Sequence, residues 1–355
     1  MSETFISKIS TNRPKVKPPQ DNLGFGRFFS DYMLVAHYRA GKGWYESRIV
    51  PYRNLDLDPA ASSLHYGQAL FEGMKAFRQK NERCVLFRPE FNWERMQVGA
   101  ERLCMVAPPK ELFVHGIREL VKMDQDWIPS APGTSLYIRP TLIGSEGFLG
   151  VRPAEEYMFF VILSPVGAYY STGFNSVKIW VEEKYLRAAP GGLGNTKAAA
   201  NYASSLKAAL EAKKQGYSQV LWLDVQREYI EEVGTMNVFF VFENEIVTPL
   251  LDGTILAGGM RDCVITLLKS WGKPIRERKI RFSEVREGMT NGKLLEAFGT
   301  GTAAVITPIG ELGTSSSKSK VGDGKTGPLA QKLFDELTAI QYGHKPDPFG
   351  WTQPL

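Results

Sequence analysis

The chain has 355 residues, 43 of them Lys or Arg and 38 Asp or Glu, which gives a formal net charge of +5. This length suits two domains of ordinary size. Basic and acidic residues alternate, as in PIRERKIRF (residues 274–282), which is typical of a solvated strand and not of a nucleic-acid groove. No apolar run reaches the roughly eighteen residues of a membrane span. The three cysteines and four histidines are dispersed, which argues against a metal site and favours reduced thiols in a cytoplasmic protein.

The first half of the chain mixes strand and helix patterns. The first twenty residues are predicted to form an extended arm. Runs rich in β-branched and aromatic residues predict strands at 32–38, 135–144 and 157–165. Apolar residues at helical spacing predict helices at 89–104 and 110–128. We therefore expect a smaller α/β domain over residues 1–167, including the arm.

A stretch rich in Gly, Ser and Tyr, VGAYYSTGFNS (residues 166–176), follows this domain. Such composition is typical of a connection between domains. We predict an interdomain loop at 168–178 and a larger C-terminal domain at 179–355. Strands are expected at 176–183, 219–224 and 237–242.

A helix is predicted directly after the segment GGLGNTK, and Gly216 is a suitable stop. Apolar residues share one predicted face and charged residues the other: Ala199, Ala203, Leu206 and Leu210 against Lys207, Glu211, Lys213 and Lys214. Lys197 is therefore expected on the loop or first turn before a helix, where functional groups are often displayed.

Near the C-terminus, residues 314–327 (TSSSKSKVGDGKTG) are predicted to form a surface loop. The end of this segment, GDGKT, is similar to the end of a phosphate-binding P-loop. The leading glycine of that motif is replaced by Ser319, and no strand is predicted before it. The sequence therefore argues against nucleotide hydrolysis at this loop.

The stretch GGLGNTKAAANYASS (residues 191–205) places one lysine, Lys197, among the smallest side chains. Taken alone, it fits a solvated lysine at a helix start as well as a functional amine. Three later segments bear on this choice, and each is a weak signal by itself.

In the first of these segments, EEVGTMNVFF, two adjacent carboxylates lead into an apolar strand, and one of them can point inward if a cation or donor compensates its burial. The second, GTILAGGMRD, opens a predicted helix with a glycine pair, and the dipole at a helix N-terminus favours an anion. The third, FGTGTAAVITP, places Thr300 and Thr302 in a glycine-rich turn.

Together these segments describe an amine, a carboxylate and two donor-rich nests for a phosphate. Pyridoxal phosphate needs these parts: a lysine for its aldehyde, a carboxylate that keeps its pyridine nitrogen protonated, and an anchor for its phosphate. Small neighbours would leave the lysine free to move between the cofactor and the substrate. The combination favours a pyridoxal-phosphate enzyme.

At these residues the sequence resembles the branched-chain amino acid aminotransferases of the fold type IV group. The motifs LHYGQALFEGMKAF, LFRPEFNWERM, LYIRPTLIG, GNTKAAANY, EEVGTMN and FGTGTA occur in family order over nearly the whole chain. The resemblance implies an α+β fold of two domains, the larger with a pseudo-barrel β core. It also implies pyridoxal 5'-phosphate as cofactor.

By matching position, Lys197 resembles the Schiff-base lysine and Glu232 the partner of the pyridine nitrogen. Tyr202 resembles the donor to the phenolic oxygen of the cofactor. The resemblance assigns phosphate binding to Arg88, Gly259, Met260 and Thr302, with Thr235 close by. Arg88 also suits this role chemically, because a guanidinium binds phosphate oxygens in a forked manner. Glu231 has no implied role and is expected to be solvated.

The implied substrate pocket is largely aromatic and would suit a branched aliphatic side chain. Arg139 resembles the arginine that meets the second carboxylate of glutamate, and the turn at Thr302 and Ala303 would hold the α-carboxylate. In the family, the segments around Tyr66 and Val151 come from the neighbouring subunit, which implies a homodimer with shared sites. The implied pocket residues are Phe25, Tyr66, Phe71, Tyr137, Arg139, Val151, Tyr169, Thr302 and Ala303.

The implied reaction exchanges an amino group between Leu, Ile or Val and 2-oxoglutarate. Two other fold type IV enzymes, a D-amino acid aminotransferase and an aminodeoxychorismate lyase, would share Lys197 and Glu232 but need a different pocket, and the LYIRP and FEGMK segments argue against both. A non-catalytic protein that keeps the fold is disfavoured by the complete set of cofactor residues. Mammalian family members have a CxxC pair where this chain has Ala304 and Thr307, so thiol regulation is not expected there.

Overall fold

The computed structural model describes residues 6–10, 14–167 and 174–355. The strands within these ranges are, in chain order, β1 Ser7–Lys8, β2 Tyr32–Arg39, β3 Gly43–Pro51, β4 Ala69–Phe71, β5 Met74–Arg78, β6 Cys84–Phe87, β7 Ser135–Gly144, β8 Glu156–Val166, β9 Val177–Val181, β10 Gln219–Leu223, β11 Ile230–Val233, β12 Asn237–Phe242, β13 Ile246–Thr248, β14 Ile275–Glu277, β15 Leu294–Gly301, β16 Val305–Gly313, β17 Lys318–Lys320 and β18 Thr352–Pro354.

The α-helices of the described residues are α1 Ser62–Tyr66, α2 Pro89–Arg102, α3 Gly116–Met123, α4 Ala199–Lys214, α5 Gly259–Ser270, α6 Phe282–Asn291 and α7 Pro328–Gln341. A π-helical turn at Glu111–His115 precedes α3, and a 3₁₀ turn at Gln125–Trp127 follows it. The continuous helix predicted at 110–128 is thus divided into three pieces. No helix in the described ranges has the length and apolarity needed to cross a membrane.

The chain divides into two compact units, and the division is not a single cut. Unit 1 contains Met1–Ser171 together with two later segments, Thr196–Ala200 and Ala339–Leu355. Unit 2 contains Thr172–Asn195 and Asn201–Thr338. The sequence instead predicts one switch at 168–178, a range in which residues 168–173 lie outside the described residues.

Strand pairing explains why the two later segments belong to unit 1. At the C-terminus, β18 pairs antiparallel with β6, from Thr352 opposite Phe87 to Pro354 opposite Val85. In the other segment, Ala198 forms a bridge with Leu70, and the backbone N–H of Phe71 donates to the Lys197 carbonyl at 3.2 Å. Backbone pairing therefore fixes Lys197 against β4.

Unit 1 is built on a nine-stranded sheet with the order β1-β3-β2-β8-β7-β5-β6-β18, in which β4 also pairs with β7. The strands predicted at 32–38, 135–144 and 157–165 are confirmed as β2, β7 and β8. Part of the predicted arm forms β1, which pairs parallel with β3. Because side chains alternate along a strand, Tyr137 and Arg139 of β7 share one face. Phe71 of β4 lies on the same face, since its register partner is Thr141.

Helix α2 confirms the prediction at 89–104 and packs its apolar side on the core of unit 1. Its buried residues include Met96, Gly99 and Ala100. A Cβ on Gly99 would lie 2.8 Å from a Leu70 methyl carbon and 3.5 Å from the Thr196 methyl carbon. The absence of a side chain at Gly99 therefore lets α2 approach β4 and the Lys197 segment closely.

Unit 2 is built on a second nine-stranded sheet with the order β11-β10-β9-β16-β15-β12-β13-β14, in which β17 also pairs with β16. The predicted strands at 176–183, 219–224 and 237–242 are confirmed as β9, β10 and β12. At the centre, Phe239 of β12 stacks on Phe298 of β15 with ring centroids 5.2 Å apart. Both units combine helices with largely antiparallel sheets, as expected of an α+β fold.

Helix α4 is confirmed, but its buried face is made of alanines and not of the predicted leucines. Ala208 and Ala212 are buried against Tyr217 and Trp222, whereas Leu206 is 67% exposed and Leu210 is 51% exposed. The large aromatic side chains fill the space beneath the helix, so only small residues fit on that side.

The loop predicted at 314–327 contains the short strand β17, which pairs with β16 from Glu311 to Gly313. Its P-loop-like end leads into α7. The Glu296 carboxylate accepts the backbone N–H groups of Leu329 and Ala330, at 2.9 Å each. Because Glu296 already accepts these N–H groups, the N-terminus of α7 does not offer them to a phosphate.

Candidate active site

In unit 1, Lys197 lies in a cationic and aromatic environment. Its amine is 4.7 Å from the centre of the Phe71 ring. Burial, and after it the positive charges of Arg95 and Arg139, lower the pKa of Lys197 to about 8. Glu72 and Tyr137 oppose this shift. The amine therefore has a sizeable neutral, nucleophilic fraction near physiological pH.

A buried ion pair that the sequence did not reveal lies beside this amine. Glu72 is 1% exposed and accepts Nε of Arg95 at 2.8 Å and Nη2 at 2.6 Å. Nδ2 of Asn92 also donates to Glu72, at 2.8 Å. The bidentate geometry fixes the Arg95 guanidinium, so the charge that acts on Lys197 is held in place.

Four of the predicted pocket residues contact one another in unit 1. Phe25 packs against Tyr137 with ring centroids 4.9 Å apart. Arg139 donates to the Tyr137 hydroxyl at 2.7 Å, and its guanidinium lies 4.6 Å from the centre of the Phe71 ring. Since Phe71 also contacts Lys197, these aromatic rings and one guanidinium form a wall next to the amine.

Lys75 extends this cationic environment and was not predicted. In the register of β5 and β7, Lys75 lies opposite Tyr137, so both side chains emerge on the same face of the sheet. Burial lowers the pKa of Lys75 to about 8. A lysine in the motif FEGMK has no local signal of burial, which explains why sequence reasoning passed over it.

Three other predicted pocket residues are not described as part of this wall. Tyr66, 44% exposed, donates from its hydroxyl to the Leu149 carbonyl, and Val151 is 85% exposed. These are the two positions that the resemblance assigns to the site of a neighbouring subunit. Tyr169 lies outside the described residues.

Arg88 occupies the N-cap of α2 in a left-handed conformation, with φ of +51°. Its backbone N–H donates to the Trp351 carbonyl at 2.8 Å. The guanidinium carbon lies 4.7 Å from the centre of the Phe91 ring and 5.9 Å from that of Trp351. Arg88 at the start of α2 and Arg95 in its middle are thus both candidates for binding an anion. The charge of Arg95 also lowers the pKa of Lys197.

In unit 2, Glu232 is a buried, fully oriented carboxylate. It is 2% exposed in β11, and its Oε1 accepts the backbone N–H of Leu256 at 2.7 Å. Nε of Arg187 lies 3.0 Å from Oε2. This guanidinium also donates to the Thr254 carbonyl at 2.7 Å and to the Gly194 carbonyl at 3.2 Å. Arg187 is the compensating cation that burial of such a carboxylate requires, and the sequence alone did not identify it.

The expectation that Glu231 is solvated is wrong. Glu231 is 5% exposed, because both carboxylates belong to β11, all four residues of which are buried. Burial raises the pKa of Glu231 to about 7, and the charges of Glu232 and Asp224 add to that shift, while Thr254 and Arg187 oppose it.

The predicted phosphate cradle lies on three elements of unit 2. Gly259 and Met260 are the first two residues of α5, whose N-cap is Gly258. A Cβ on Gly258 would lie 2.0 Å from Oδ1 of Asn237, so only glycine fits this backbone. Thr302 and Ala303 form the turn between β15 and β16, followed by Val305 at a φ of +61°.

The other two predicted cofactor residues of unit 2, Tyr202 and Thr235, precede α5 in the chain. Thr235 is an exposed residue of the turn between β11 and β12, and Tyr202 lies on α4, partly buried.

Cys84, Cys104 and Cys263 are free thiols, and no cluster of potential metal ligands occurs among the described residues.

Comparisons with known proteins identify the family of the chain. Residues 69–312 match the amino-transferase class IV family model. The branched-chain-amino-acid aminotransferase 2 of Bacillus subtilis (strain 168) is 52% identical over 353 residues, which cover 99% of this chain and 97% of that protein.

Solved structures of the same family superpose on most of the chain. The Escherichia coli branched-chain amino acid aminotransferase is 27% identical, with a TM-score of 0.74 over 91% of this chain and 98% of that one. The T.th. branched-chain amino acid aminotransferase complexed with N-(5'-phosphopyridoxyl)-L-glutamate is 26% identical, also with a TM-score of 0.74, over 90% and 97% of the two chains.

The chain therefore belongs to the class IV aminotransferases and, within them, to the branched-chain amino acid aminotransferases, so the family resemblance of the sequence is confirmed. It is an enzyme that transfers amino groups, and the predicted fold class, an α+β fold of this family, is confirmed.

Proposed function

We propose that this branched-chain amino acid aminotransferase uses Lys197 to exchange the amino group between L-leucine, L-isoleucine or L-valine and 2-oxoglutarate. The observation that carries the proposal is the buried amine of Lys197, whose pKa is lowered to about 8, next to an aromatic wall that contains one arginine. The names and high identity of the relatives support the same substrates.

The donor set fits pyridoxal 5'-phosphate as the cofactor. Lys197 supplies an amine in unit 1, and unit 2 supplies a buried carboxylate, Glu232, already fixed by Arg187 and the Leu256 N–H. The N-terminus of α5 supplies backbone donors in a place where Gly258 excludes any side chain. Amine, carboxylate and anion cradle are the groups that this cofactor requires.

When bound, pyridoxal phosphate supplies an aldehyde that takes up the migrating amino group and a protonated ring that withdraws electrons from the substrate. Lys197, in its neutral form, would accept the proton of the substrate α-carbon and hold it for the later proton return. The small residues Ala198, Ala199 and Ala200 leave room for this movement. A positioned acid–base group of this kind contributes about 10²- to 10⁴-fold in rate.

Glu232 would keep the ring nitrogen of the bound cofactor protonated. Its two oxygens are oriented by different partners, Arg187 and the Leu256 N–H, so the carboxylate needs no rearrangement to accept a hydrogen bond from that nitrogen. We assign the phenolic oxygen of the cofactor to Tyr202, and its phosphate to Gly259, Met260 and Thr302, with Thr235 nearby.

Two arginines compete for the phosphate in this proposal. Arg88 is the residue assigned by family position, and its guanidinium is placed between the rings of Phe91 and Trp351. Arg95 is held by Glu72 and is close enough to shift the Lys197 pKa. If Arg88 binds the phosphate, Arg88→Ala will weaken cofactor affinity more than tenfold and Arg95→Ala will change it by less than about threefold. If Arg95 binds the phosphate, the two results will be exchanged. Titration of each apoprotein with the cofactor separates the two.

For substrates, we propose that Phe25, Phe71 and Tyr137 enclose the branched side chain. Arg139 meets the second carboxylate of the acidic substrate, and its hydrogen bond to the Tyr137 hydroxyl keeps it at the edge of the aromatic wall. Thr302 and Ala303 receive the α-carboxylate in their turn. Tyr169 is proposed as a further wall of this pocket.

We further propose that the enzyme acts as a homodimer in the cytoplasm. Tyr66 and Val151 are 44% and 85% exposed within one chain, as expected of residues that complete the pocket of a second copy. Exposed Phe148 and Leu149, in the same segment as Val151, support a contact there.

The proposal is tested by mixing purified protein with leucine and 2-oxoglutarate and following glutamate, with Lys197→Ala as the matched control. The parent protein with cofactor should be coloured and active, and the variant should lose nearly all turnover. A parent that remains colourless after addition of pyridoxal phosphate, or a variant as fast as the parent, would overturn the assignment.

A further inference from the structure

Glu231 is a buried carboxyl that the proposed reaction does not use. It directly precedes Glu232 in β11 and is 5% exposed. Its Oε2 has no hydrogen-bond partner among the described residues. A buried polar atom without a partner is costly, so its retention beside a functional carboxylate calls for a physical reason.

Glu231 is one of the residues that line a small cavity of about 70 Å³ in unit 2. This volume can hold a few water molecules. The other polar and charged residues around it are Asp224, Gln226, Tyr229, Asp252, Thr254 and Lys279. Water in this cavity would give Glu231 a route for exchanging its proton with solvent, although the side chain is buried.

Glu231 and Glu232 are linked through the same arginine and the same loop. Arg187 pairs with Glu232 at 3.0 Å and donates to the Thr254 carbonyl at 2.7 Å. The Thr254 hydroxyl donates to Asp252 at 3.0 Å and also lies near enough to Glu231 to lower the pKa of that carboxyl. A change in the charge of Glu231 therefore acts on the guanidinium that orients Glu232.

We propose that Glu231 is a positioning residue whose ionisation, exchanged through this cavity, sets how strongly Glu232 holds a protonated ring nitrogen. The inference rests on the proposed role of Glu232. It does not give Glu231 any contact with the substrate or the cofactor.

The direction of the effect follows from the charges that face Glu231. These are the cations Arg187 and Lys279 and the acids Glu232, Asp224 and Asp252, with the Tyr229 phenol. The pKa of Glu231, raised by burial to about 7, means that the group is mostly neutral at pH 6 and mostly ionised at pH 8. Once ionised, it shares Arg187 with Glu232 and adds negative potential, which favours a protonated nitrogen nearby.

The test compares the parent with Glu231→Gln, which cannot ionise, and with Glu228→Gln as the matched control. Glu228 is an exposed carboxylate close by in sequence, paired with Arg281 at 2.8 Å. Cofactor dissociation constants and the visible absorbance of the bound cofactor are measured at pH 6 and pH 8. From pH 6 to pH 8 the parent should gain about threefold to tenfold in affinity relative to Glu231→Gln, and nothing relative to Glu228→Gln.

A second readout uses the apoprotein and does not depend on the cofactor. Glu231 has a folded pKa raised above the unfolded value of about 4.3, so its burial has no ionisation cost below about pH 4, a cost that grows as the pH rises toward about 7, and a constant cost above that. Melting temperatures should therefore favour Glu231→Gln over the parent more at pH 8 than at pH 5. Glu231→Met, of similar length, should show the same trend if the Gln variant folds poorly.

The outcomes separate this inference from the proposed function. A parent that binds no pyridoxal phosphate contradicts the proposed function, while the melting comparison still reports on Glu231. A parent that binds the cofactor but shows the same pH dependence as Glu231→Gln, in affinity and in absorbance, overturns the inference and leaves the aminotransferase assignment intact.

Discussion

The surroundings of Lys197 in unit 1 and of Glu232 in unit 2 have opposite electrostatic character. Lys197 shares its environment with Arg95, Arg139 and one carboxylate, Glu72. Glu232 lies among carboxyl groups, with Arg187 as its paired cation. Each environment contains one buried Arg–Glu pair. The group whose pKa lies near physiological pH is the amine of Lys197 in the first environment and the carboxyl of Glu231 in the second.

The comparison shows how burial and neighbouring like charges bring the pKa values of a basic and an acidic group close to each other. Burial and neighbouring guanidinium groups lower the pKa of Lys197 to about 8. Burial and neighbouring carboxylates raise the pKa of Glu231 to about 7. The buried ion pair of each unit fixes charge, and the adjacent titratable group remains able to exchange a proton near physiological pH.

The largest expected effect comes from removing the cation of either pair. Arg95→Met leaves Glu72 as a buried carboxylate without its guanidinium, and Arg187→Met does the same to Glu232. Each should cost about 3–5 kcal/mol in the free energy of unfolding, measured by urea denaturation of the apoprotein. An exposed pair, Arg281–Glu228, is the control, and Arg281→Met should cost less than about 1 kcal/mol. Equal costs for buried and exposed pairs would contradict the comparison.

Next in size is the effect of Glu232→Gln on turnover. The amide keeps the shape of the side chain but cannot hold a proton on the ring nitrogen, so turnover should fall by about 10²-fold or more while the cofactor is retained. The assay follows glutamate from leucine, and cofactor content is read from absorbance. Glu228→Gln should be as active as the parent. Unchanged turnover in Glu232→Gln would move the proposed role to another residue.

The reactivity of Lys197 should change about tenfold per pH unit below its pKa of about 8 and level off above it, because only the neutral amine is nucleophilic. Reductive alkylation of the apoprotein with a small aldehyde, quantified at Lys197 by mass spectrometry, measures this profile. Glu72→Gln should lower the midpoint further, because Glu72 normally opposes the shift. A midpoint near 10 in the parent would show that the amine is not buried.

The smallest effect is expected for Thr254→Val, which removes a hydroxyl and keeps the backbone carbonyl that accepts Arg187. Loss of its hydrogen bond to Asp252 should cost about 1 kcal/mol. Loss of the hydroxyl should also raise the pKa of Glu231, since this hydroxyl opposes the effect of burial. Denaturation at pH 5 and pH 8 tests both, and a cost independent of pH would remove Thr254 from the titrating network.

Local patterns predicted most strands, and together with the family resemblance they made Lys197 and Glu232 the candidate residues. A lysine between Gly and Ala runs, and a carboxylate pair entering an apolar strand, are visible within a few residues of sequence. The partners Arg95 and Arg187 were missed because their contacts with Glu72 and Glu232 join residues far apart in the chain. Nothing near either arginine distinguishes it from a solvated one.

Burial was also harder to predict than secondary structure. Periodicity places Leu206 and Leu210 on one face of α4, but it does not say which face meets the core. The aromatic side chains of Tyr217 and Trp222, from later elements, decide that the small face is buried. For Glu231, strand alternation predicts opposite directions for adjacent carboxylates, yet a sheet enclosed on both sides buries them both.

The pairing of β18 with β6 has a consequence for biosynthesis. Unit 1 takes the strand β18 from Ala339–Leu355, a segment that leaves the ribosome only after all of unit 2. The N-terminal half therefore cannot complete its sheet while unit 2 is being synthesised, and its strand β6 stays without this partner until Thr352–Pro354 has emerged. Nascent chains arrested before residue 339 should accordingly be protease-sensitive in unit 1, even though nearly all of its sequence has already emerged.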